Sequence, residues 1–185
     1  LTYFYDWRKV VPNQADAISE FIQNRTVPDE DVDLVGHSMG GLLGRAYLEA
    51  KQVNHRLDHL LTVGSPHQGV PNAYPAWAGG EIWNDNFLFR VAMTTLVKQC
   101  SLIHGTSNKD SIRQYVPSVQ NLLPIFPYLK DKKTGKYKPV SSLNNQNNWL
   151  PTNGFSSPFF GATVGTLLGT SKKTLAAIEV KAASS

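Results

Sequence analysis

The stretch VDLVGHSMGG, residues 32–41, gives the clearest indication of the fold. Its first four residues are mostly apolar and stop at Gly36, which is typical of a short buried strand. Apolar side chains then recur at helical spacing, at Leu43, Ala46, Tyr47 and Ala50. The stretch therefore predicts a strand, a sharp turn and a helix in direct succession.

The same alternation continues on both sides of this stretch. Residues 2–5 are β-branched and aromatic, which predicts a buried strand, and the apolar spacing of residues 15–25 predicts a helix. Residues 57–63 predict a further strand, which ends at Gly64. Strands alternating with helices indicate the α/β class: a mostly parallel sheet with helices on both faces.

Residues 70–158 break the alternation and are rich in Pro, Gly and Asn. Helices are predicted here over 85–99 and 111–123, with 118–123 as a separate short turn. Since a connection this long usually has structure or function of its own, we interpret 70–158 as a lid inserted into the core.

The segments before and after this lid are predicted to form the core. Residues 1–69 form its first part, and residues 159–185 are predicted to return to it. Strands are expected there over 162–168 and 175–180.

Composition narrows the class of protein. The 185 residues are 41% hydrophobic and 17% charged with a net charge of +4, which excludes a disordered chain. Five lysines fall within 130–138 beside turn residues, so we interpret them as a solvated loop and predict no nucleic-acid partner. The single Cys100 excludes an intrachain disulfide and a multi-cysteine metal site. No cofactor or metal is predicted, and no apolar run approaches the roughly 18 residues of a membrane span.

Residues 36–40 match G-x-S-x-G, the nucleophile elbow. The motif predicts Ser38 as a nucleophile in strained backbone geometry, with a Cβ at Gly36 or Gly40 colliding with the neighbouring element. The backbone N–H of Met39 would stabilise an oxyanion at the start of the helix. Two later glycines, Gly41 and Gly44, are predicted to pack the helix on the sheet.

The histidines offer several interpretations. His37 lies inside the motif and is expected to support packing, while His55 and His59 are expected at the surface. His67 follows the strand of residues 57–63, at the edge where ligands bind in α/β sheets, and is the best candidate for a wall of the substrate pocket. The alternative base is His104, which Asp85 or Asp110 would have to orient.

Aromatic residues cluster in and after the predicted lid. They form either a small satellite core or an apolar surface for an acyl chain or a lipid interface. Trp77 and Trp83 are the candidates for the substrate pocket. The full set is Trp77, Trp83, Phe87, Phe89, Phe126, Tyr128, Trp149, Phe155, Phe159 and Phe160.

Residues 32–41 resemble the elbow of the lipase and esterase branch of the α/β-hydrolase fold. The segments YDWR (5–8), TVGSPHQG (62–69) and SVQNLLP (118–124) are similar to those of the lecithin:cholesterol acyltransferase-like group, including its bacterial esterase-like members. The resemblance implies a serine hydrolase or acyltransferase acting on lipid-like esters through an acyl-enzyme at Ser38. Hydrolysis and acyl transfer are not distinguished.

The resemblance also implies functional groups outside the chain. In this fold the triad acid and histidine follow the later strands and are expected beyond Ser185, and the second oxyanion donor is expected before Leu1. The chain would then be an internal fragment, inactive or nearly so alone. The alternatives are a non-catalytic binding or scaffold protein of this fold, and a complete small esterase using His104.

Overall fold

A computed structural model describes residues 1–28, 30–150 and 160–181. Its helices are α1 Ala15–Gln23, α2 Met39–Lys51, α3 Ala73–Gly79, α4 Phe87–His104, α5 Asn108–Tyr115 and α6 Ser118–Asn121. Its strands are β1 Val32–His37, β2 Leu57–Val63, β3 Leu129–Asp131, β4 Thr163–Leu167 and β5 Ile178–Val180. The chain divides into two compact units: unit 1 holds 1–67 and the described part of 153–173, and unit 2 holds the described parts of 68–152 and 174–185.

Unit 1 is built on a parallel sheet in the order β1-β2-β4. The register runs through Leu34, Leu60 and Val164 to the strand ends at His37, Val63 and Leu167. Parallel strands end at the same edge, so the segments that follow β1 and β2 emerge side by side. The predicted α/β class with a parallel sheet is confirmed.

Helix α2 packs on one face of this sheet through its glycines. A Cβ on Gly44 would lie 2.6 Å from Leu60 Cδ1 and 3.0 Å from Leu34 Cδ2, and one on Gly41 would lie 2.8 Å from Ser65 Cβ. The predicted packing role of both glycines is confirmed. On the opposite face Val35 and Leu61 are 67% and 39% exposed, so α2 covers one face of the described sheet.

Residues 1–5 do not form the strand that their composition predicts. Leu1 and Phe4 are 94% and 86% exposed, and a cavity of about 560 Å³ lies between the segment and the outer edge of β1. A strand requires a hydrogen-bonded neighbour at about 4.8 Å, and in the described sheet β1 pairs with β2 alone. The prediction was therefore wrong, because β propensity does not provide the partner.

Unit 2 has its own apolar core, in which Trp77 of α3 packs with Ile112 and Leu123. A two-stranded parallel sheet joins β3 to β5. The prediction that the end of the chain returns to the first core is therefore corrected: β4 pairs with β2, whereas Ile178–Val180 pairs with β3 in unit 2. Helix α3 was missed because it is short and contains Pro75, which its first turn tolerates.

The lysine-rich stretch 130–138 begins within β3, where Lys130 and Asp131 are half-buried, and most of its remaining residues are exposed, as predicted. Asp131 accepts hydrogen bonds from the backbone N–H groups of Lys133 (2.9 Å) and Thr134 (2.8 Å), and these bonds lower the pKa of its carboxyl group. The residues after β3 thus form a solvated turn, which the carboxylate of Asp131 stabilises through these hydrogen bonds.

Candidate active site

Ser38 lies at the abrupt junction between β1 and α2. Its backbone has φ 52° and ψ −124°, a conformation that non-glycine residues rarely adopt. The Ser38 N–H donates to Val63 O (2.9 Å) and the Gly41 N–H donates to Ser38 O (3.1 Å), so both sides of the turn are anchored. The strained geometry predicted for Ser38 is confirmed.

The Ser38 side chain is exposed at this turn. A serine that precedes a helix ordinarily caps it with its hydroxyl, yet Ser38 makes no side-chain capping bond to α2. Met39 is the first residue of α2, so its N–H has no acceptor within the helix. Hydroxyl and amide thus lie together at the positive end of a helix dipole, where negative charge is stabilised.

Gly36 makes this turn sterically possible. A Cβ there would lie 2.5 Å from Gly41 N and 2.6 Å from Gly40 C, both backbone atoms that cannot swing away. At Gly40 a Cβ would meet nothing within 4 Å. The predicted collision is therefore confirmed for Gly36 and wrong for Gly40, because only Gly36 faces the first turn of α2.

Ser65 supports the same turn, a role that the sequence analysis did not assign. It is buried, and its Oγ donates to Gly36 O at 3.4 Å while occupying the space left by Gly41. The signal was present in the segment 62–69, where a serine follows the end of a strand. Its contact with Gly36 depends on the pairing of β1 with β2, which the segment alone does not reveal.

His67 follows Ser65 and is 9% exposed. Burial, together with the charge of Arg45, lowers the pKa of its imidazole to about 4. Arg45 is itself 3% exposed and pairs with Glu49, with Nε–Oε1 at 2.6 Å. His67 is therefore neutral at neutral pH, and its low pKa makes it a weak proton acceptor.

His67 should make the stability of the chain pH-dependent. As the pH falls from 6.5 towards 4, the unfolded chain binds a proton that the native imidazole resists, so the free energy of unfolding falls. We expect a loss of about 2 kcal/mol, less than the roughly 3.4 kcal/mol that follows from about 1.36 kcal/mol for each pKa unit between 6.5 and 4, because partial solvent access screens the charge. Urea denaturation across this range, compared with His67→Gln, checks this; an equal slope in the variant contradicts it.

The other two histidines of β1 and its neighbourhood, His37 and His55, have surroundings different from those of His67. His37 is exposed at the end of β1, which corrects its predicted packing role: it lies on the side of β1 that bears the exposed Val35, opposite α2. His55 is half-buried rather than at the surface, because its Nδ1 accepts from Leu57 N–H (3.1 Å) and its Nε2 lies 3.1 Å from Phe160 O.

His59 is exposed as predicted, and it belongs to a small charged cluster. Its Nδ1 lies 2.8 Å from Asp33 Oδ1 and 3.2 Å from Asp58 Oδ2. The hydrogen bond to Asp33 and the charge of Asp58 raise the pKa of His59. The imidazole nitrogen of His59 and the carboxylate oxygens of Asp33 and Asp58 lie within 4.8 Å of one another. They lie near the beginning of β1 and β2 and away from Ser38.

His104 ends α4 in unit 2 and its ring lies 4.9 Å from that of Tyr115. Asp110 is engaged elsewhere, since its Oδ2 accepts from Ser107 Oγ (2.6 Å) at the start of α5. Among the described contacts of His104 there is no hydrogen bond to Asp85 or Asp110. The pairing required by the alternative triad is thus not present.

The two tryptophans predicted for a substrate pocket have different surroundings. Trp77 is buried in the core of unit 2, with the Arg113 guanidinium 5.2 Å from its ring centre. Trp83 is 43% exposed and donates from Nε1 to Glu81 Oε2 (3.1 Å). Of the aromatic cluster, Phe155 and Phe159 lie outside the described residues, as does the predicted boundary at 158–159.

Comparison with known proteins complements this geometry. A model of the palmitoyl protein thioesterase family matches residues 2–158, which include the whole Ser38 turn. The chain belongs to the palmitoyl protein thioesterase family. This match does not confirm the expected lecithin:cholesterol acyltransferase-like group.

Solved structures resemble this family member over part of their length. The chain is similar to the mature lipase BlEst2 of Bacillus licheniformis, with 21% identity, a TM-score of 0.33, and coverage of 65% of this chain and 41% of that one. It is also similar to a chain of the Tle4-Tli4 complex, with 17% identity, a TM-score of 0.38, and coverage of 78% and 29%. The chain thus spans less than half of either structure, and no curated protein matches it.

Within the described residues, no helix of this thioesterase family member combines the length and apolar character needed to cross a bilayer.

Proposed function

We propose that the chain carries the nucleophile of a serine hydrolase that cleaves long-chain acyl thioesters or esters. The observation that carries this proposal is the backbone of Ser38, held at φ 52° between a strand and a helix with its hydroxyl unused in capping. Strain of this kind costs about 1–3 kcal/mol and persists where the surrounding structure imposes it, which is typical of functional sites. Membership of a thioesterase family favours the acyl thioester as substrate.

The reaction would proceed through an acyl-enzyme. Ser38 Oγ attacks the acyl carbonyl carbon as its proton passes to a general base, and the Met39 N–H donates to the oxyanion. The carbon–sulfur bond then breaks and the thiol leaves with a proton. Water attacks the acyl-serine next and releases the carboxylic acid. Attack by an alcohol would instead give acyl transfer, so the hydrolytic outcome is part of the proposal.

The base is proposed to come from outside the described part of the chain. His67 is a weak proton acceptor with a pKa of about 4. His37 and His59 lie on the side of the sheet that bears the exposed Val35 and Leu61, opposite α2. A non-catalytic binding protein of the same fold is the second candidate, favoured by this lack of a suitable base beside Ser38 in the described residues.

Labelling with a fluorophosphonate separates the two candidates. Trypsin should release residues 26–45 as one peptide, in which Ser38 is the single serine, so an adduct on that peptide is unambiguous. We expect the protein that contains this chain to carry one adduct there, and Ser38→Ala to carry none. A protein that stays unlabelled at this peptide, although folded by circular dichroism, is a binding protein and contradicts the proposal.

A further inference from the structure

Helix α4 presents an apolar side that nothing in the described structure covers. It packs in unit 2 through Val97 and Ser101, its two buried residues. Leu88, Leu102 and Ile103 are 77%, 82% and 77% exposed, and Leu96 is 57% exposed. Patches of this kind on a protein surface usually mark an interaction site.

The exposed residues form one continuous side of the helix. At about 100° per residue, positions 88, 92, 96, 99 and 103 lie opposite Val97 and Ser101. We call this side the outer face of α4, and none of its residues is charged: Leu88, Val91, Ala92, Thr95, Leu96, Gln99, Leu102 and Ile103.

One cation borders the outer face. Lys98 lies at its edge beside Val91, whereas Arg90 lies seven residues before Val97 and therefore on the packed side of the helix. Arg90 and Lys98 are the Arg and Lys residues of α4, and the helix contains no carboxylate. Both line a groove of about 590 Å³ together with Trp83. The groove contains one carboxylate, that of Glu81, which accepts the hydrogen bond from Trp83 Nε1. The apolar face thus lies beside Lys98, and the adjoining groove adds Arg90 and a half-exposed indole.

We propose that the outer face of α4 binds the surface of an anionic lipid membrane. A helix with one apolar side, nearby cations and an adjacent tryptophan lies in the plane of the lipid–water interface, with acyl chains against its apolar side and headgroup phosphates near its cations. Because α4 contains cations and no carboxylate, its charge is complementary to anionic headgroups. Pairing with a second copy is an outcome of the test below.

Membrane binding goes beyond the proposed hydrolysis and rests on different residues. Ser38 belongs to unit 1 and α4 to unit 2. A Ser38→Ala variant should therefore bind vesicles as the unchanged protein does, so failure of either proposal can be recognised separately.

Vesicle flotation of the full chain tests the proposal. Phosphatidylcholine vesicles with about a third phosphatidylserine should bind the chain, and Leu102→Gln with Ile103→Gln should weaken binding about tenfold or more through lost apolar burial. Arg90→Gln with Lys98→Gln should weaken binding to the anionic vesicles about fivefold per charge and leave binding to pure phosphatidylcholine unchanged.

A control variant replaces two exposed apolar side chains elsewhere. Val27 and Val53 are 65% and 77% exposed in unit 1, and Val27→Gln with Val53→Gln should leave vesicle binding unchanged. Absence of binding by the unchanged chain overturns the proposal, as does an equal loss in the control. A dimer that depends on Leu102 and Ile103, seen by light scattering without vesicle binding, also overturns it and assigns the face to a second copy.

Discussion

Replacing Ser38 with alanine should lower kcat for hydrolysis of a palmitoyl thioester by about 10⁴-fold or more, because the acyl-enzyme can no longer form. The change keeps the side chain small, and the backbone strain remains because alanine tolerates φ 52° no better than serine. Folding should therefore be unaltered. Initial rates of thiol release by the protein that contains this chain provide the measurement.

Ser141→Ala is the matched control for this loss, since Ser141 is an exposed serine of unit 2. Its rate should equal that of the unchanged protein. Activity retained in Ser38→Ala would exclude Ser38 as the nucleophile, even if the family assignment stands.

Gly36→Ala should destabilise the fold by about 1–3 kcal/mol, the range typical when a methyl group is forced into a packed site. The new Cβ would lie 2.5 Å from Gly41 N and 2.6 Å from Gly40 C. Relief requires β1 and α2 to separate at the point where Ser38 is held. Urea denaturation at neutral pH gives the free energy of unfolding.

Gly40→Ala provides an internal comparison four residues later. Its Cβ would meet nothing within 4 Å, and alanine is favoured over glycine in a helix by about 0.5–1 kcal/mol. The variant should be as stable as the unchanged chain or slightly more so. Equal destabilisation by the two substitutions would contradict the steric account of the turn.

Much of unit 1 could be predicted because its signals are local. The apolar spacing of residues 15–25 and 57–63 predicted α1 and β2 closely, and the motif around Ser38 predicted both its strained backbone and the steric role of Gly36. The collision expected at Gly40 was wrong, since the motif does not reveal which glycine faces α2. Ser65 was missed because its contact with Gly36 joins residues 29 positions apart.

The aromatic residues illustrate the limit of composition. Trp77 and Trp83 are close in sequence and were both predicted for a pocket, yet one is 8% and the other 43% exposed. The satellite core, one of the two interpretations of the cluster, is present around Trp77. A tryptophan fits a core or an interface equally well, so only its packed neighbours distinguish these roles.

The sequence alone determined the order of strands and helices in the core, the parallel sheet and the strained turn at Ser38, because hydrophobic periodicity and glycine sterics act over a few residues. Tertiary structure decided that residues 1–5 lack a strand partner, that Ile178–Val180 joins β3, that His67 loses basicity, and that the outer face of α4 is exposed. Strand pairing, desolvation and surface exposure depend on atoms distant in the chain, and no local pattern encodes which of them will be near.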